Sequence, residues 1–162
     1  MCGITGFIGD GSRETLERMT STLVHRGPDD EGYFFQSGRV GLGFRRLAII
    51  DLETGNQPVF NEDRSIAVLL NGEIYNFKSL RAELEKRHTF RTSGDTEVIP
   101  HLYEEVGERV FEKLNGMFAI AIWDGRAGKL ILARDRFGKK PLYYALLGSA
   151  LVFAYEPKAI LP

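Results

Sequence analysis

MCGITGFIG (Met1–Gly9) carries the only cysteine of the 162-residue chain, at the position that becomes N-terminal once Met1 is lost. The small Cys2 side chain permits removal of Met1 by an aminopeptidase, and Gly3 lets the backbone come close to a neighbouring group. A free N-terminal cysteine carries its own base, because an α-amino group titrates near ~8 and a thiol near ~8.5. The amine can accept the thiol proton, directly or through one water, so a single residue can supply nucleophile and base. Gly3–Gly9 reads as a strand that ends at the Asp10-Gly11 turn signal.

Composition bounds what such a residue could serve. The length suits one domain, which at this size buries about 70% of the surface its unfolded chain exposes. Hydrophobic residues make up 43% and charged residues 27%, ordinary values for a soluble globular protein. Twenty-one basic and 22 acidic residues are interspersed, with a net charge of -1. That balance gives no electrostatic footprint for nucleic acid or an anionic membrane. A lone cysteine makes no internal disulfide. With no leader pattern and no apolar run near the ~18 residues of a membrane span, the chain reads as cytoplasmic.

Outward from the first strand, Ser12 can cap a helix with Leu16, Met19, Leu23 and Val24 on one face, stopping before Arg26-Gly27-Pro28. Gly32–Gln36, Val40–Asp51 and Ser65–Asn71 read as strands. A second helix is expected from Phe77 to Lys86. A third begins near Asp95-Thr96, and Pro100 within it implies a kink or a late start. Met117–Trp123 pairs with Lys129–Arg134 around Asp124-Gly125, and Leu142–Leu147 pairs with Leu151–Tyr155 around Gly148-Ser149. Glu156–Leu161 begins a final helix. Many antiparallel strands with helices inserted make an α+β domain, with helices covering the outer faces of sheets.

The polar residues gather at the ends of the apolar runs. His25, His88 and His101 have no metal-ligand spacing, so no zinc site is expected, and His88 and His101 read as surface residues. Arg45 and Arg46 should face opposite ways along their strand; one can be solvated, and the other needs a carboxylate, which a substrate could supply. Asn71-Gly72-Glu73 is either a turn or a pair of uncharged donors for an oxyanion. Asp95 either caps the third helix or binds a ligand ammonium. A thiol, a base, oxyanion donors, an arginine and an aspartate together suit an amino acid with a side-chain amide, glutamine above all.

With those residues in place, the sequence resembles the N-terminal glutaminase domain of glutamine-hydrolysing asparagine synthetases, class II amidotransferases among the N-terminal-nucleophile (Ntn) hydrolases. The matching stretches are Cys2-Gly3-Ile4, HRGPDDEG (25–32), RRLAIIDL (45–52), NGEIYNF (71–77), SGDTEVI (93–99), LNGMFAIAIWD (114–124) and RDRFGKKPLYY (134–144). Pro28-Asp29 together with NGEIYN favours the asparagine-synthetase type over amidotransferases that make phosphoribosylamine or glucosamine phosphate. Tyr155 departs from the Ala-Ser-Glu usual in relatives.

The resemblance implies a four-layer αββα sandwich of two antiparallel sheets, the Ntn-hydrolase fold, over residues 1–162 with Met1 removed. It implies Cys2 as nucleophile, Asn71 and Gly72 as oxyanion hole, and Arg46 on the glutamine α-carboxylate. Glu73 and Asp95 would take the α-ammonium, Leu47, Ile49 and Ile50 would line the site, and the HRGPD turn would close over bound glutamine. Glutamine would be hydrolysed through a γ-glutamyl thioester, and the ammonia would feed an ATP-dependent synthetase domain or subunit. No cofactor or metal is implied in this domain; ATP and magnesium belong to a synthetase domain, whose Ser-Gly-Gly-x-Asp-Ser loop is absent from these residues. No nucleic-acid or membrane partner is implied, and homo-oligomerisation stays open. A non-catalytic glutamine-sensing module and an Ntn amidohydrolase acting on another γ-glutamyl compound are the alternatives.

Overall fold

The two-residue period of the first strand places the layers. A computed structural model describes residues 2–48 and 55–161. In chain order these form β1 (Gly3–Ile8), α1 (Arg13–Ser21), β2 (Asp30–Gln36), β3 (Val40–Arg46), β4 (Val59–Phe60), β5 (Ile66–Ile74), α2 (Phe77–Leu84), α3 (Val98–Val106), α4 (Val110–Lys113), β6 (Gly116–Asp124), β7 (Lys129–Arg134), β8 (Tyr143–Leu147) and β9 (Ala150–Ala154). In β1, Ile4 packs on one side and Phe7 on the other, as alternation along a strand requires.

One sheet is ordered β2-β3-β1-β9-β8 and the other β4-β5-β6-β7. Every strand pair among the described residues is antiparallel. Ile4, Leu42, Phe44 and Phe153 of the first sheet meet Ala67, Leu69, Ala119, Ala121 and Trp123 of the second in a core between the sheets. On the outer face of the first sheet, Phe7 and Val152 pack against Leu16 and Met19 of α1. On the outer face of the second, Ile66, Val68 and Leu70 pack against Ile99, Leu102 and Tyr103 of α3 and Leu84 of α2. The layers are therefore α, β, β, α, the α+β sandwich expected.

Several boundaries differ from the sequence reading, each for a local reason. Helix α1 is capped by Ser12, whose hydroxyl accepts the Thr15 N–H at 3.0 Å. It stops at Ser21, and Leu23 and Val24 then donate to carbonyls three residues back. The tighter turns rotate Val24 off the buried face, leaving it 43% exposed.

Strand β5 runs on through Asn71, Gly72 and Glu73, which pair with Ala119, Phe118 and Met117 of β6. The long partner strand overrides the Asn-Gly turn signal. A Cβ on Gly72 would overlap the Met117 carbonyl and the Phe118 Cα, so the close approach of the strands requires glycine there. Strand β3 ends at Arg46; its expected continuation over residues 49–51 lies outside the described residues. Pro100 is accommodated by a late start at Val98, in the first turn, where its missing N–H has no helical acceptor to lose. The final segment, Pro157–Ile160, is a 3-10 turn, shorter than the helix expected there. No described helix is long and apolar enough to cross a membrane.

Candidate active site

Cys2 stands at the entry to β1, at the end of the sandwich where β3 delivers Arg46 and β5 delivers Asn71. Between them lies a cavity of about 140 Å³ whose lining includes Cys2, Arg46, Leu47, Asn71, Gly72, Glu73 and Asp95. The structure thus gathers residues from four separate stretches of the chain. Ile49 and Ile50 lie outside the described residues, as does Met1.

The thiol is half-buried and held by main chain. Leu47 N–H donates to Cys2 Sγ at 3.5 Å, and the thiol can donate to the Leu47 carbonyl at 3.7 Å. The HRGPD turn braces the same segment: Asp29 N–H donates to the Arg46 carbonyl at 3.1 Å and Asp29 Oδ2 accepts the Ala48 N–H at 2.8 Å. A Cβ on Gly27 would overlap the Arg45 carbonyl carbon, so the turn sits directly on β3.

The two arginines do face opposite ways, but neither is solvated. Arg45 is buried with its Nε on the Gly27 carbonyl at 2.9 Å and its Nη1 on Glu31 at 2.6 Å. Arg46 is buried and lines the cavity. Register explains the difference: the Arg45 face of β3 meets the HRGPD turn and β2, whereas the Arg46 face turns toward the second sheet.

Asn71 is 1% exposed, and its side-chain N–H₂ has no hydrogen-bond partner among the described residues. Buried amide donors are almost always paired, so a wholly enclosed donor beside a cavity marks a place for a ligand acceptor. Asp95 is 7% exposed and accepts the Ile74 N–H at 2.8 Å. It does not cap α3, whose N-cap residue is Glu97; β5 captures it instead. Burial pushes the Asp95 carboxyl above the ordinary aspartate range, and the neighbouring Glu73 charge adds to that shift.

Two cavity residues were given no site role from the sequence. Gln57 is buried, and its side-chain amide accepts the Leu70 N–H at 2.6 Å and donates to the Leu70 carbonyl at 3.1 Å. It thereby fixes the residue before Asn71. Lys140 is 3% exposed and lines the cavity. Burial lowers its pKa and Arg26 lowers it further, against the charges of Asp135, Cys2 and Glu73.

The RDRFGKK stretch explains how a lysine is placed there. The Asp135 carboxylate accepts backbone N–H groups of Phe137 at 3.1 Å, Lys139 at 3.0 Å, Lys140 at 3.0 Å and Phe118 at 3.3 Å. Burial alone would raise the Asp135 carboxyl, but these donors hold it low. An Asp followed by a glycine-containing loop was the available signal. Tyr155 is also buried: its ring lies 4.7 Å from the Arg26 guanidinium, and its hydroxyl accepts from Arg26 Nη2 at 3.1 Å.

Comparison with known proteins assigns the chain to a family. A family model described as a glutamine amidotransferase domain matches residues 1–162. Asparagine synthetase [glutamine-hydrolyzing] 2 of Bacillus subtilis (strain 168) is 48% identical over 167 residues, covering 99% of this chain and 22% of that protein. Asparagine synthetase [glutamine-hydrolyzing] 3 of Arabidopsis thaliana is 45% identical over 166 residues, covering 99% and 28%. The chain therefore spans about a quarter of the length of these relatives. Among solved structures, the glutamine phosphoribosylpyrophosphate (PRPP) amidotransferase from B. subtilis, complexed with ADP and GMP, superposes with a TM-score of 0.79 at 24% identity. The match covers 98% of this chain and 42% of that one, a likeness of fold, the Ntn-hydrolase sandwich. From the N-terminal cysteine strand to the RDRFGKK loop, the chain belongs to the glutamine amidotransferase domain family, in the form found at the N-terminal end of glutamine-hydrolysing asparagine synthetases.

Proposed function

We propose that the mature protein begins at Cys2 and hydrolyses glutamine to glutamate and ammonia through a γ-glutamyl thioester. The ammonia feeds an ATP-dependent amidation of the asparagine-synthetase type, carried out by a synthetase domain or subunit. The observation that carries this reading is the enclosed Asn71 amide donor, unpaired among the described residues, in the cavity that Cys2 enters. A carbonyl oxygen that gains charge as the thiolate attacks is the acceptor such a donor suits.

In this reading Arg46 takes the glutamine α-carboxylate, while Asp95 and Glu73 take its α-ammonium. The Cys2 amine removes the thiol proton, and Sγ attacks the side-chain amide carbon. The oxyanion draws hydrogen bonds from Asn71 Nδ2 and the Gly72 N–H. The protonated amine gives its proton to the leaving nitrogen, and ammonia departs. Water, activated by the same amine, then attacks the thioester carbon, and the C–S bond breaks to release glutamate and regenerate the thiol.

The test combines intact-mass analysis with a glutamate-release assay. Active protein should lack Met1, Cys2→Ala should release no ammonia, and Asn71→Ala should lose roughly 10²–10³ in kcat with a much smaller change in KM. Wild-type turnover by Cys2→Ala, or full activity in protein that retains Met1, would sink the proposal. Tight glutamine binding without glutamate formation would favour a sensing module. Faster turnover of γ-glutamyl peptides than of glutamine would favour a different amidohydrolase.

A further inference from the structure

We propose that Glu62, His88, His101 and Glu104 form a binding site for a divalent transition-metal ion, with zinc best suited to the donors. The site is separate from the cavity at Cys2. Spacing along the chain gave no expectation of zinc, and His88 and His101 read as surface residues. The fold overturns the second of these readings. His101 is 0% exposed in α3, and His88, just beyond α2, has a side chain only 13% exposed. Their rings lie 4.7 Å apart, centroid to centroid.

Four donors converge from three elements: Glu62 from the β4–β5 loop, His88 from the turn after α2, and His101 with Glu104 one turn apart on α3. All four offer a ligand atom within 4.8 Å of one another. Glu62 Oε1 lies 3.1 Å from His88 Nδ1, Glu62 Oε2 lies 3.3 Å from His101 Nδ1, and Glu104 Oε2 lies 4.0 Å from His88 Nδ1. Tetrahedral zinc with bonds of 2.0–2.2 Å separates its ligand atoms by about 3.3–3.6 Å. The Glu62–His101 separation falls at that edge; the Glu62–His88 separation is slightly shorter and involves the other oxygen of the same carboxylate, so small rotations of the Glu62 and Glu104 carboxylates bring one oxygen of each to the ion.

The outer nitrogens point the same way. His88 Nε2 lies 3.3 Å from Glu105, and His101 Nε2 lies 3.7 Å from Glu97. For His88, a carboxylate at this distance is the arrangement that orients a metal-bound histidine and raises its basicity; Glu97 stands behind His101 at longer range. The carboxylates are oriented too. Glu62 Oε1 accepts the Thr89 N–H at 3.0 Å, and Glu104 Oε1 receives Arg126 at 2.9 Å, which leaves Oε2 toward the histidines.

An ion-paired cluster of protonated histidines is the competing account. Such pairs would be expected in hydrogen-bonding geometry, yet both nitrogens of His101 are buried without a hydrogen-bond partner among the described residues. Two neutral imidazoles and two carboxylates offset a divalent charge and prefer nitrogen-binding transition metals to calcium or magnesium. With the ion on His88 Nδ1, the N–H of the neutral imidazole sits on Nε2, facing Glu105. With four protein ligands the site is structural in type. It would tie the β4–β5 loop to α3, just beyond the cavity residues Asp95 and Thr96.

The test uses the metal-stripped chain carrying Cys2→Ala, which removes the thiol as a competing ligand, titrated with ZnCl₂ by calorimetry and followed by thermal unfolding. We expect one zinc per chain and a zinc-dependent rise in Tm. Adding His88→Gln or Glu104→Gln to that background should weaken binding at least tenfold and abolish the rise. Circular dichroism should confirm that both variants remain folded; their side chains reach partial exposure, unlike His101. No saturable binding, or affinity in both variants unchanged from the Cys2→Ala parent, would show an ion-paired cluster only and overturn the proposal.

Discussion

Asp95 shows how a single residue can be readable in type and unreadable in state. Its place before a helix suggested a cap or a ligand for an ammonium; the fold turns it onto β5 and buries it. Its folded-state pKa is raised, first by burial and then by Glu73. The folded protein therefore holds this proton to a higher pH than the unfolded chain, so the group costs stability as pH rises through the window between the ordinary and raised values. For binding the sign is opposite: an α-ammonium needs the ionised carboxylate. If Asp95 serves glutamine, KM for glutamine should rise as pH falls, beginning above the ordinary aspartate range. Asp95→Asn should raise KM at neutral pH and flatten that acid limb. A pH series of initial rates checks both, and an unchanged limb in the variant would remove Asp95 from the site.

Among the elements, the hairpins β6–β7 and β8–β9 were legible because turn residues separate strongly apolar runs. The strand β4 and helix α4 were not, since two and four residues are too short to show a period. Gln57 makes up for the shortness of β4 by acting as a piece of strand, using its amide to satisfy both main-chain groups of Leu70. Gln57→Leu should leave those buried groups unpaired, at about 1–3 kcal/mol each. Urea unfolding should show a lower midpoint with the slope unchanged. A loss below about 0.5 kcal/mol would mean that Leu70 finds other partners.

At the scale of the molecule, the site exists because two sheets are held face to face. Phe153, fully buried in β9, fills the core between them. Phe153→Ala should destabilise the fold by about 3–5 kcal/mol through lost transfer energy and a residual cavity. Because Cys2 and Arg46 belong to one sheet and Asn71 to the other, glutamine turnover should also fall in the folded fraction. Calorimetric unfolding with parallel rates measures both; a loss under about 1 kcal/mol would show that the sheets do not depend on this contact.

The chemistry available and the succession of the larger strands along the chain are written in local sequence. A cysteine next to the initiator, an Arg-Arg pair, an Asn-Gly pair and an apolar alternation of period two are local properties, and they survive in any arrangement of the chain. Which arginine faces the cavity, and that Asn71 lies inside a paired strand with its amide unmet among the described residues, emerges only from the folded arrangement. That arrangement also placed Gln57 and Lys140 at the site, and brought His88, His101, Glu62 and Glu104 together. Those outcomes depend on strand register and on packing between layers. The residues concerned lie far apart in the chain, and nothing in their own neighbourhoods records who their partners will be.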